Sequence, residues 1–236
     1  MRQLFEKLVE SNKTPYLFGD KDEILTRIES KNLVISIAIA IEEKLVGQRE
    51  ASVAILLPRG NYYIASIFST WCLGHYFIPL NASWPEAHIK SILAKAKPDI
   101  LISETYIQDI NITTLLIDDV ISEHQNKETL VEYLPEISSS SNLAYIIFTS
   151  GTTGEQKGVK ISKVAFKSYV DWTNNYFIDY SNNKALLITA ELTFDITMGD
   201  IAFALAFGSE IHVSPDPKNI FMHAKMIMDR GIDTFY

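Results

Sequence analysis

The clearest structural pattern in this chain is ASVAILLPRGNYYIASIFSTWCLGHYFIPL, residues Ala51 to Leu80. Its first part, Ala51 to Leu57, is an apolar run of the length that predicts a buried strand. Large apolar side chains then recur at helical spacing from Asn61 to Leu73, and Gly74 follows where helices commonly end. A second apolar run, Tyr76 to Leu80, predicts another strand. A strand, a helix and a strand in this order predict two parallel strands joined by a right-handed crossover.

The alternation of strands and helices continues on both sides of this unit. Upstream, the nearly continuous apolar residues Leu33 to Ile41 predict a buried helix face. Downstream, the pattern predicts helix Pro85 to Ala96, strands Asp99 to Ser103, Leu115 to Ile117 and Leu143 to Phe148, helix Lys163 to Tyr176, strand Ala185 to Thr189, helix Ile196 to Phe207, strand Glu210 to Val213 and helix Lys218 to Arg230. Short strands that are apolar throughout are typical of parallel sheets covered by helices on both faces. The predicted fold class is therefore α/β.

A polar region divides the chain into two parts. Polar residues dominate from Ser122 to Asn142, and the four-serine run Ser138 to Ser141 is typical of a solvated linker. We therefore expect a first α/β subdomain at residues 1–137 and the start of a second at 138–236. The last residues, GIDTFY, begin another strand and have no polar tail. This ending favours a fragment of a longer protein; the alternative is a short chain that ends in an edge strand.

Charge and composition limit the classes of function. The chain has 29 Asp+Glu against 21 Lys+Arg, a net charge of -8, and no dense basic run, which argues against nucleic-acid binding. A membrane-spanning helix needs about 20 apolar residues, far more than Leu33 to Ile41 offers. The N-terminus lacks the apolar core of a signal peptide. A single cysteine, Cys72, cannot form an internal disulfide. We therefore expect a soluble cytoplasmic protein without a membrane partner.

The most distinctive local feature is YIIFTSGTTGEQKGV, residues Tyr145 to Val159, in which an apolar strand leads directly into a glycine-rich loop. The loop carries three glycines, four hydroxyls and one cation: Gly151, Gly154, Gly158, Thr149, Ser150, Thr152, Thr153 and Lys157. Glycine lets backbone N–H groups approach a ligand, and successive N–H groups form an anion-binding concavity. Hydroxyls and a lysine add donors suited to phosphate. The loop is predicted to hold a polyphosphate; the alternative is a flexible polar turn.

The spacing of these residues differs from the two commonest nucleotide motifs. A Walker loop needs Gly-Lys-Ser/Thr after a fixed gap, but Gln156 lies five residues beyond Gly151 and Val159 lies five beyond Gly154. The sequence also lacks G-x-G-x-x-G. Both absences argue against a P-loop NTPase or a dinucleotide enzyme.

Three motifs together resemble the adenylate-forming enzymes, in particular the amino-acid adenylation domains of non-ribosomal peptide synthetases and the D-alanine–carrier-protein ligases. LAYIIFTSGTTGEQKGV is similar to that family's phosphate-loop signature, with Gln156 where proline is usual. WCLGHYFIPLNASWP, residues Trp71 to Pro85, is similar to a second family stretch, with Asn81 where aspartate is common. FDIT, residues Phe194 to Thr197, resembles the family's F-D-x-S. The resemblance covers nearly the whole chain.

The resemblance implies the fold, the reaction and its partners. It implies two mostly parallel, helix-covered sheets of the family's N-terminal domain, in truncated form. It implies that ATP, with Mg²⁺, activates an amino acid as its aminoacyl-adenylate, and that the acyl group passes to the phosphopantetheine thiol of a carrier protein. The loop residues named above would bind the ATP phosphates. The family's later motifs, including its catalytic lysine, are absent, so we expect this chain alone to be inactive. The alternative is a non-catalytic half that acts as an assembly module.

Asp195 has two possible roles. In amino-acid-activating members of the family, the aspartate of F-D-x-S pairs with the substrate α-ammonium, and Phe194 would form the pocket wall. A cation in a dry pocket needs a fixed counter-charge. Asp195 also precedes the apolar segment from Ile196 to Phe207, so it could instead cap a helix. The five histidines form no metal-binding motif, so no metal site is assigned. No catalytic residue is assigned either, because the resemblance implies that the catalytic lysine belongs to the missing later motifs.

Overall fold

The strand–helix–strand unit predicted from residues 51–80 lies at the centre of the first of two sheets. The computed structural model describes residues 1–11, 13–45, 50–125, 142–150, 156–180 and 182–235. Strand Ser52–Leu56 pairs in parallel with strand Tyr76–Pro79, and helix Asn61–Cys72 connects them. Gly74 follows with a φ of 82°, a left-handed conformation that favours glycine. The unit is therefore confirmed.

The helices and strands alternate along the chain. The helices are α1 (Arg2–Glu10), α2 (Arg27–Lys44), α3 (Asn61–Cys72), α4 (Glu86–Ala96), α5 (Ile117–Gln125), α6 (Lys163–Tyr176), α7 (Ile196–Phe207) and α8 (Ile220–Arg230). The strands are β1 (Tyr16–Gly19), β2 (Ile24–Thr26), β3 (Ser52–Leu56), β4 (Tyr76–Pro79), β5 (Ile100–Ser103), β6 (Thr113–Leu116), β7 (Leu143–Ser150), β8 (Gln156–Ser162), β9 (Ala185–Ile188), β10 (Glu210–Val213) and β11 (Thr234–Phe235). A 3₁₀ turn covers Ile178–Tyr180.

Both sheets are mostly parallel, as predicted. The first has the strand order β6-β5-β3-β4-β7-β8, and only β8 runs antiparallel to its neighbour. The second has the order β11-β9-β10-β1-β2, and only β2 is antiparallel. The predicted α/β class is therefore confirmed.

The two sheets exchange strands across the division predicted at residue 137. β7 and β8 follow that division but complete the first sheet, whereas β1 and β2 precede it and join the second. The predicted boundary at residue 137 therefore does not coincide with the division between the two sheets, and the subdomains 1–137 and 138–236 stay a prediction. Sequence order cannot reveal such an exchange, because parallel strands pair over long separations. The serine run Ser138 to Ser141 lies outside the described residues.

Five elements were not predicted from the sequence: α1, α5, β1, β2 and β8. β1 and β2 are too short to show a periodic pattern. The predicted buried face Leu33 to Ile41 lies inside the longer α2, which begins with a capping box between Thr26 and Glu29. Within the part of the chain that the structure describes, no helix combines the length and apolar character needed to cross a bilayer.

An aromatic cluster on α3 holds the first sheet against the helices. The Trp71 indole is buried, and its ring centroid lies 5.5 Å from that of Phe77 and 5.1 Å from that of Phe166. Its Nε1–H donates to the carbonyl of Ala144 at 2.8 Å. The neighbouring Cys72 is also buried, which raises its thiol pKa to about 12. Trp71 therefore joins α3 to both the centre of the first sheet and α6.

His75 makes the stability of the fold depend on pH. Its buried Nδ1 accepts from the Ala51 N–H at 3.3 Å, and burial, with Lys163 adding repulsion, lowers its pKa from 6.5 to about 4. The unfolded chain therefore binds a proton between these values while the folded chain does not. We expect the free energy of unfolding to fall by about 3 kcal/mol as pH drops from 6.5 to 4.

Urea titrations at several pH values would measure this loss. His75→Asn cannot take up a proton and should lack this part of the pH dependence. His223→Asn, on the partly exposed side of α8, should keep it. Identical pH slopes for the wild type and His75→Asn would contradict the assignment.

Candidate functional site

The predicted phosphate loop connects the two strands of an antiparallel hairpin. In β7 and β8, Thr149 faces Lys157 and Ser150 faces Gln156. Gly151, Thr152, Thr153 and Gly154 lie outside the described residues, as does the side chain of Ser150. Their assignment to phosphate binding therefore stays a prediction. The hairpin nevertheless brings Thr149 and Lys157 together at the two ends of the loop.

Lys157 and Gly158 have different surroundings on β8. The Lys157 side chain is exposed, so it is available to an anionic ligand. Gly158 faces Phe148 across the hairpin, and a Cβ at this position would approach Ile146 Cγ2 to 3.0 Å and Phe148 Cζ to 3.2 Å. Close packing is therefore one reason for a glycine at position 158. Its predicted phosphate contact stays a prediction.

A cavity of about 450 Å³ lies beside this hairpin. It brings together three of the predicted site residues, Thr149 from β7 and Phe194 and Asp195 from the turn before α7. Its remaining walls are largely apolar and aromatic: Trp84, His88, Ile92, Tyr145, Ile147, Phe148, Gln156, Val159 and Ile161. The cavity therefore connects the strand that leads into the phosphate loop with the turn that carries Asp195.

Asp195 occupies the N-cap position of α7, but its side chain makes no capping hydrogen bond. The side chain is exposed and lines the cavity. The nearby Tyr145 has a pKa of about 12, raised mainly by burial and further by the negative charge of Asp195. The Tyr145 hydroxyl therefore stays protonated at neutral pH. The Asp195 carboxylate makes no capping bond and lines the cavity, and its pairing with a substrate ammonium stays a prediction.

Three further wall residues were not predicted as site residues. Trp84 lies within the stretch Trp71 to Pro85 but has no binding role assigned from the sequence. His88 lies on α4, far from the loop in sequence, and Gln156 marks only a departure from the usual proline. Gln156 Nε2 lies 3.0 Å from His88 Nδ1, and the Trp84 and His88 rings meet edge to face at 4.8 Å. Among the described residues, no group bonds to the buried Gln156 Oε1. No sequence motif marks His88, because only tertiary packing brings it here.

Metal binding has no support within the described ranges. Those residues contain no group of three or more His, Cys, Asp or Glu side chains that could hold an ion.

Comparison with known proteins places this geometry in a family. A family model described as "AMP-binding enzyme" matches residues 6–236, nearly the whole chain. The chain belongs to the AMP-binding enzyme family. This confirms the resemblance to adenylate-forming enzymes, which the three motifs had indicated.

Two relatives of this AMP-binding chain are a peptide synthase and a carrier protein ligase. Bacitracin synthase 2 of Bacillus licheniformis is 27% identical over 94% of this chain and 8% of its own length. The D-alanine–D-alanyl carrier protein ligase of Lactococcus lactis is 28% identical over 98% of this chain and 46% of its own length. The chain therefore spans less than half the length of these curated relatives.

Solved structures confirm the fold of this AMP-binding chain. The N-terminal subdomain of NpsA from Klebsiella oxytoca, in complex with 3-hydroxybenzoyl-AMSN, superposes with a TM-score of 0.83 at 18% identity. The match covers 100% of this chain and 59% of that one. At this identity the likeness establishes the architecture, so the substrate must be argued from the site.

Proposed function

We propose that this chain supplies the phosphate-binding loop and part of the acyl pocket for ATP-dependent activation of an amino acid. The observation that carries the proposal is the position of Asp195, whose carboxylate makes no helix-capping bond and lines the same cavity as Thr149. One cavity thus joins a counter-charge for an α-ammonium with the approach to the phosphate loop. The D-alanine named for one relative agrees with an amino-acid substrate.

The proposed reaction proceeds in two steps. A carboxylate oxygen of the amino acid attacks the α-phosphorus of ATP, the bond from the α-phosphorus to the bridging oxygen breaks, and its electron pair leaves with pyrophosphate. The product is an aminoacyl-adenylate. A carrier-protein thiol then loses its proton and attacks the acyl carbon, and AMP leaves with the electron pair of the acyl–oxygen bond. This order follows from the chemistry of the family.

The residues of this chain contribute positioning and charge to these steps. Asp195 would pair with the α-ammonium, and the exposed ring of Phe194 would cover the side chain of the substrate. Thr149 and Lys157, together with the predicted loop residues between them, would hold the phosphates while charge moves onto the leaving pyrophosphate. Donors fixed where charge develops stabilise a transition state more than the ground state. Mg²⁺ as the companion of ATP and a phosphopantetheinyl carrier protein stay part of the proposal, as does a reducing, cytoplasmic location.

Pyrophosphate exchange tests the function directly. The assay needs the parent protein, meaning the natural protein of which this sequence is all or part. We expect amino-acid-dependent incorporation of labelled pyrophosphate into ATP, and much weaker but measurable incorporation with the deaminated analogue. Exchange by neither acid across a full panel of amino acids would overturn the proposal and favour a non-catalytic assembly role.

Lys157→Ala tests the phosphate side of the proposal. Loss of a hydrogen bond to a charged group costs about 1.5–3 kcal/mol, so the KM for ATP should rise about 10- to 100-fold. The KM for the amino acid should change little. Lys160→Ala is the matched control, because Lys160 is also exposed on β8 but lies farther from the loop. A changed amino-acid KM with unchanged ATP dependence would contradict this placement.

A further inference from the structure

Glu191 lies at the start of the turn that carries Phe194 and Asp195. Its carbonyl oxygen accepts from the Phe194 N–H at 2.9 Å and from the Thr197 hydroxyl at 3.0 Å. The first of these bonds closes the turn that leads to Asp195. The second attaches the first turn of α7 to the same carbonyl. The backbone of Glu191 therefore sets the course of the chain through Asp195.

The side chain of Glu191 connects this turn to the other sheet. Its Oε2 accepts from Asn81 Nδ2 at 3.0 Å and lies 3.6 Å from Arg59 Nη1. Arg59 follows β3 and Asn81 follows β4, both in the first sheet, whereas Glu191 follows β9 in the second. β4 is paired with β7, the strand that leads into the phosphate loop. The carboxylate of Glu191 therefore links the two sheets close to both halves of the site.

Arg59 strengthens the same link through the backbone. Its guanidinium donates to the carbonyls of Ala190 at 2.7 Å, Ser214 at 2.7 Å and Ile188 at 3.3 Å. These carbonyls lie at or just beyond the ends of β9 and β10. Since a guanidinium presents several donors in a fixed plane, it holds these segments in one geometry. The start of the Glu191 turn is thus bound to the first sheet twice, through the backbone at Ala190 and through the carboxylate of Glu191.

Asn81 uses both ends of its amide in this arrangement. Its Oδ1 accepts from the Ser83 N–H at 2.8 Å and from the Ser83 hydroxyl at 2.7 Å, while its Nδ2 donates to Glu191. An aspartate could make the first two bonds, but it has no donor for the third. The pairing with a carboxylate therefore explains why an asparagine occupies this position, where aspartate is common among the enzymes that the sequence resembles.

We propose that Glu191, held by Asn81 and Arg59, is a positioning residue that fixes the Phe194–Asp195 turn relative to the strand leading into the phosphate loop. The inference rests on the proposed function, because it assigns Glu191 the task of keeping the ammonium partner and the phosphate donors in register. Its action is indirect and passes through the backbone of the turn. Small errors in such placement lower rates strongly when two reactants must meet.

Exchanging the amide and the carboxylate between Asn81 and Glu191 tests the contact between these two side chains. Asn81→Asp keeps the Ser83 contacts but places two carboxylates against each other, so the turn should shift. Glu191→Gln keeps an oxygen that accepts from Asn81 and should have a small effect. In the double variant Asn81→Asp/Glu191→Gln, the new amide donates to the new carboxylate and should restore the turn.

Kinetics of the parent protein give the first readout. In Asn81→Asp we expect the amino-acid KM to rise at least about tenfold while the ATP KM stays within about twofold. Preference for the amino acid over its deaminated analogue should fall with it, and the double variant should recover both to about the level of Glu191→Gln. Equal losses of activity with both acids in Asn81→Asp, a lowered melting temperature and no recovery in the double variant would contradict the inference. Asn81, Arg59 and Glu191 would then have a purely structural role.

Amide hydrogen exchange of the chain itself gives a second readout that does not need turnover. The Phe194 and Thr197 N–H groups should exchange at least about tenfold faster in Asn81→Asp and return to the wild-type rate in the double variant. If the wild type forms no adenylate but exchange follows this pattern, the proposed function fails and the positioning of the turn stands. Unchanged exchange in Asn81→Asp overturns the inference whatever the activity.

Discussion

Replacing Asp195 by alanine in the parent protein should lower kcat/KM for the amino acid about 10- to 100-fold. The variant leaves the α-ammonium without a counter-charge, and loss of a hydrogen bond to a charged group costs about 1.5–3 kcal/mol. Adenylate formation should be measured with the amino acid and with its deaminated analogue. The analogue, which has no ammonium, should be tolerated as well as before or better.

Asp195→Asn separates the charge from the helix-capping alternative. Asparagine caps helices as well as aspartate, so a capping role predicts normal stability for Asp195→Asn and a loss of about 0.5–2 kcal/mol for Asp195→Ala. Pairing with the ammonium predicts that both variants lose the amino acid while their melting temperatures change little. Equal losses for both acids, with a lowered melting temperature in the alanine variant alone, would return Asp195 to the role of a cap.

The second large effect is expected at Trp71. Truncation to alanine removes a buried indole that contacts Phe77 and Phe166 and leaves the Ala144 carbonyl without its donor. Large-to-small changes of this kind cost about 3–5 kcal/mol. We expect a corresponding fall in the free energy of unfolding, measured by circular dichroism in urea.

Trp172→Ala is the matched control for this measurement. Trp172 stacks on Tyr176 at 4.8 Å, but it lies on the exposed face of α6 with 46% of its surface accessible. Its loss should cost about 1 kcal/mol, the value of a surface aromatic pair. Similar destabilisation by the two variants would mean that the α3 cluster does not dominate the core.

The elements that the sequence predicted are those whose local pattern matches their final environment. Ser52–Leu56 is buried on both faces, so its apolar run is unambiguous. β8 is different, because its sequence QKGVKIS is polar and mostly exposed. It becomes a strand only because the hairpin places it beside β7, and no periodic signal announces that pairing. The predicted strand Leu143 to Phe148 consequently ended two residues before β7 does.

The residues of the candidate site also fall into two groups, those that a sequence motif predicts and those that only tertiary packing brings to the site. Phe194, Asp195 and Thr149 belong to motifs that can be identified in the sequence, and they line one cavity. Their predicted roles remain to be tested. His88 and Glu191 belong to no motif, since each acquires its place only when α4 or the first sheet packs against its neighbour. A motif marks residues that meet a ligand, whereas the residues that support them are visible only in the fold.

The exchange of strands between the two sheets has a consequence for how this chain folds on the ribosome. Phe18 in β1 pairs with Ile211 in β10. The ribosome therefore synthesises β10 about 190 residues after β1, and the two strands cannot pair before then. At about 5–20 residues per second, that delay is about 10–40 s. During this time β1 has only the short strand β2 beside it, and its other edge stays unpaired. Pairings as distant in sequence as β1 with β10 form slowly. Nascent chains of this protein should therefore depend on a chaperone until β10 has emerged.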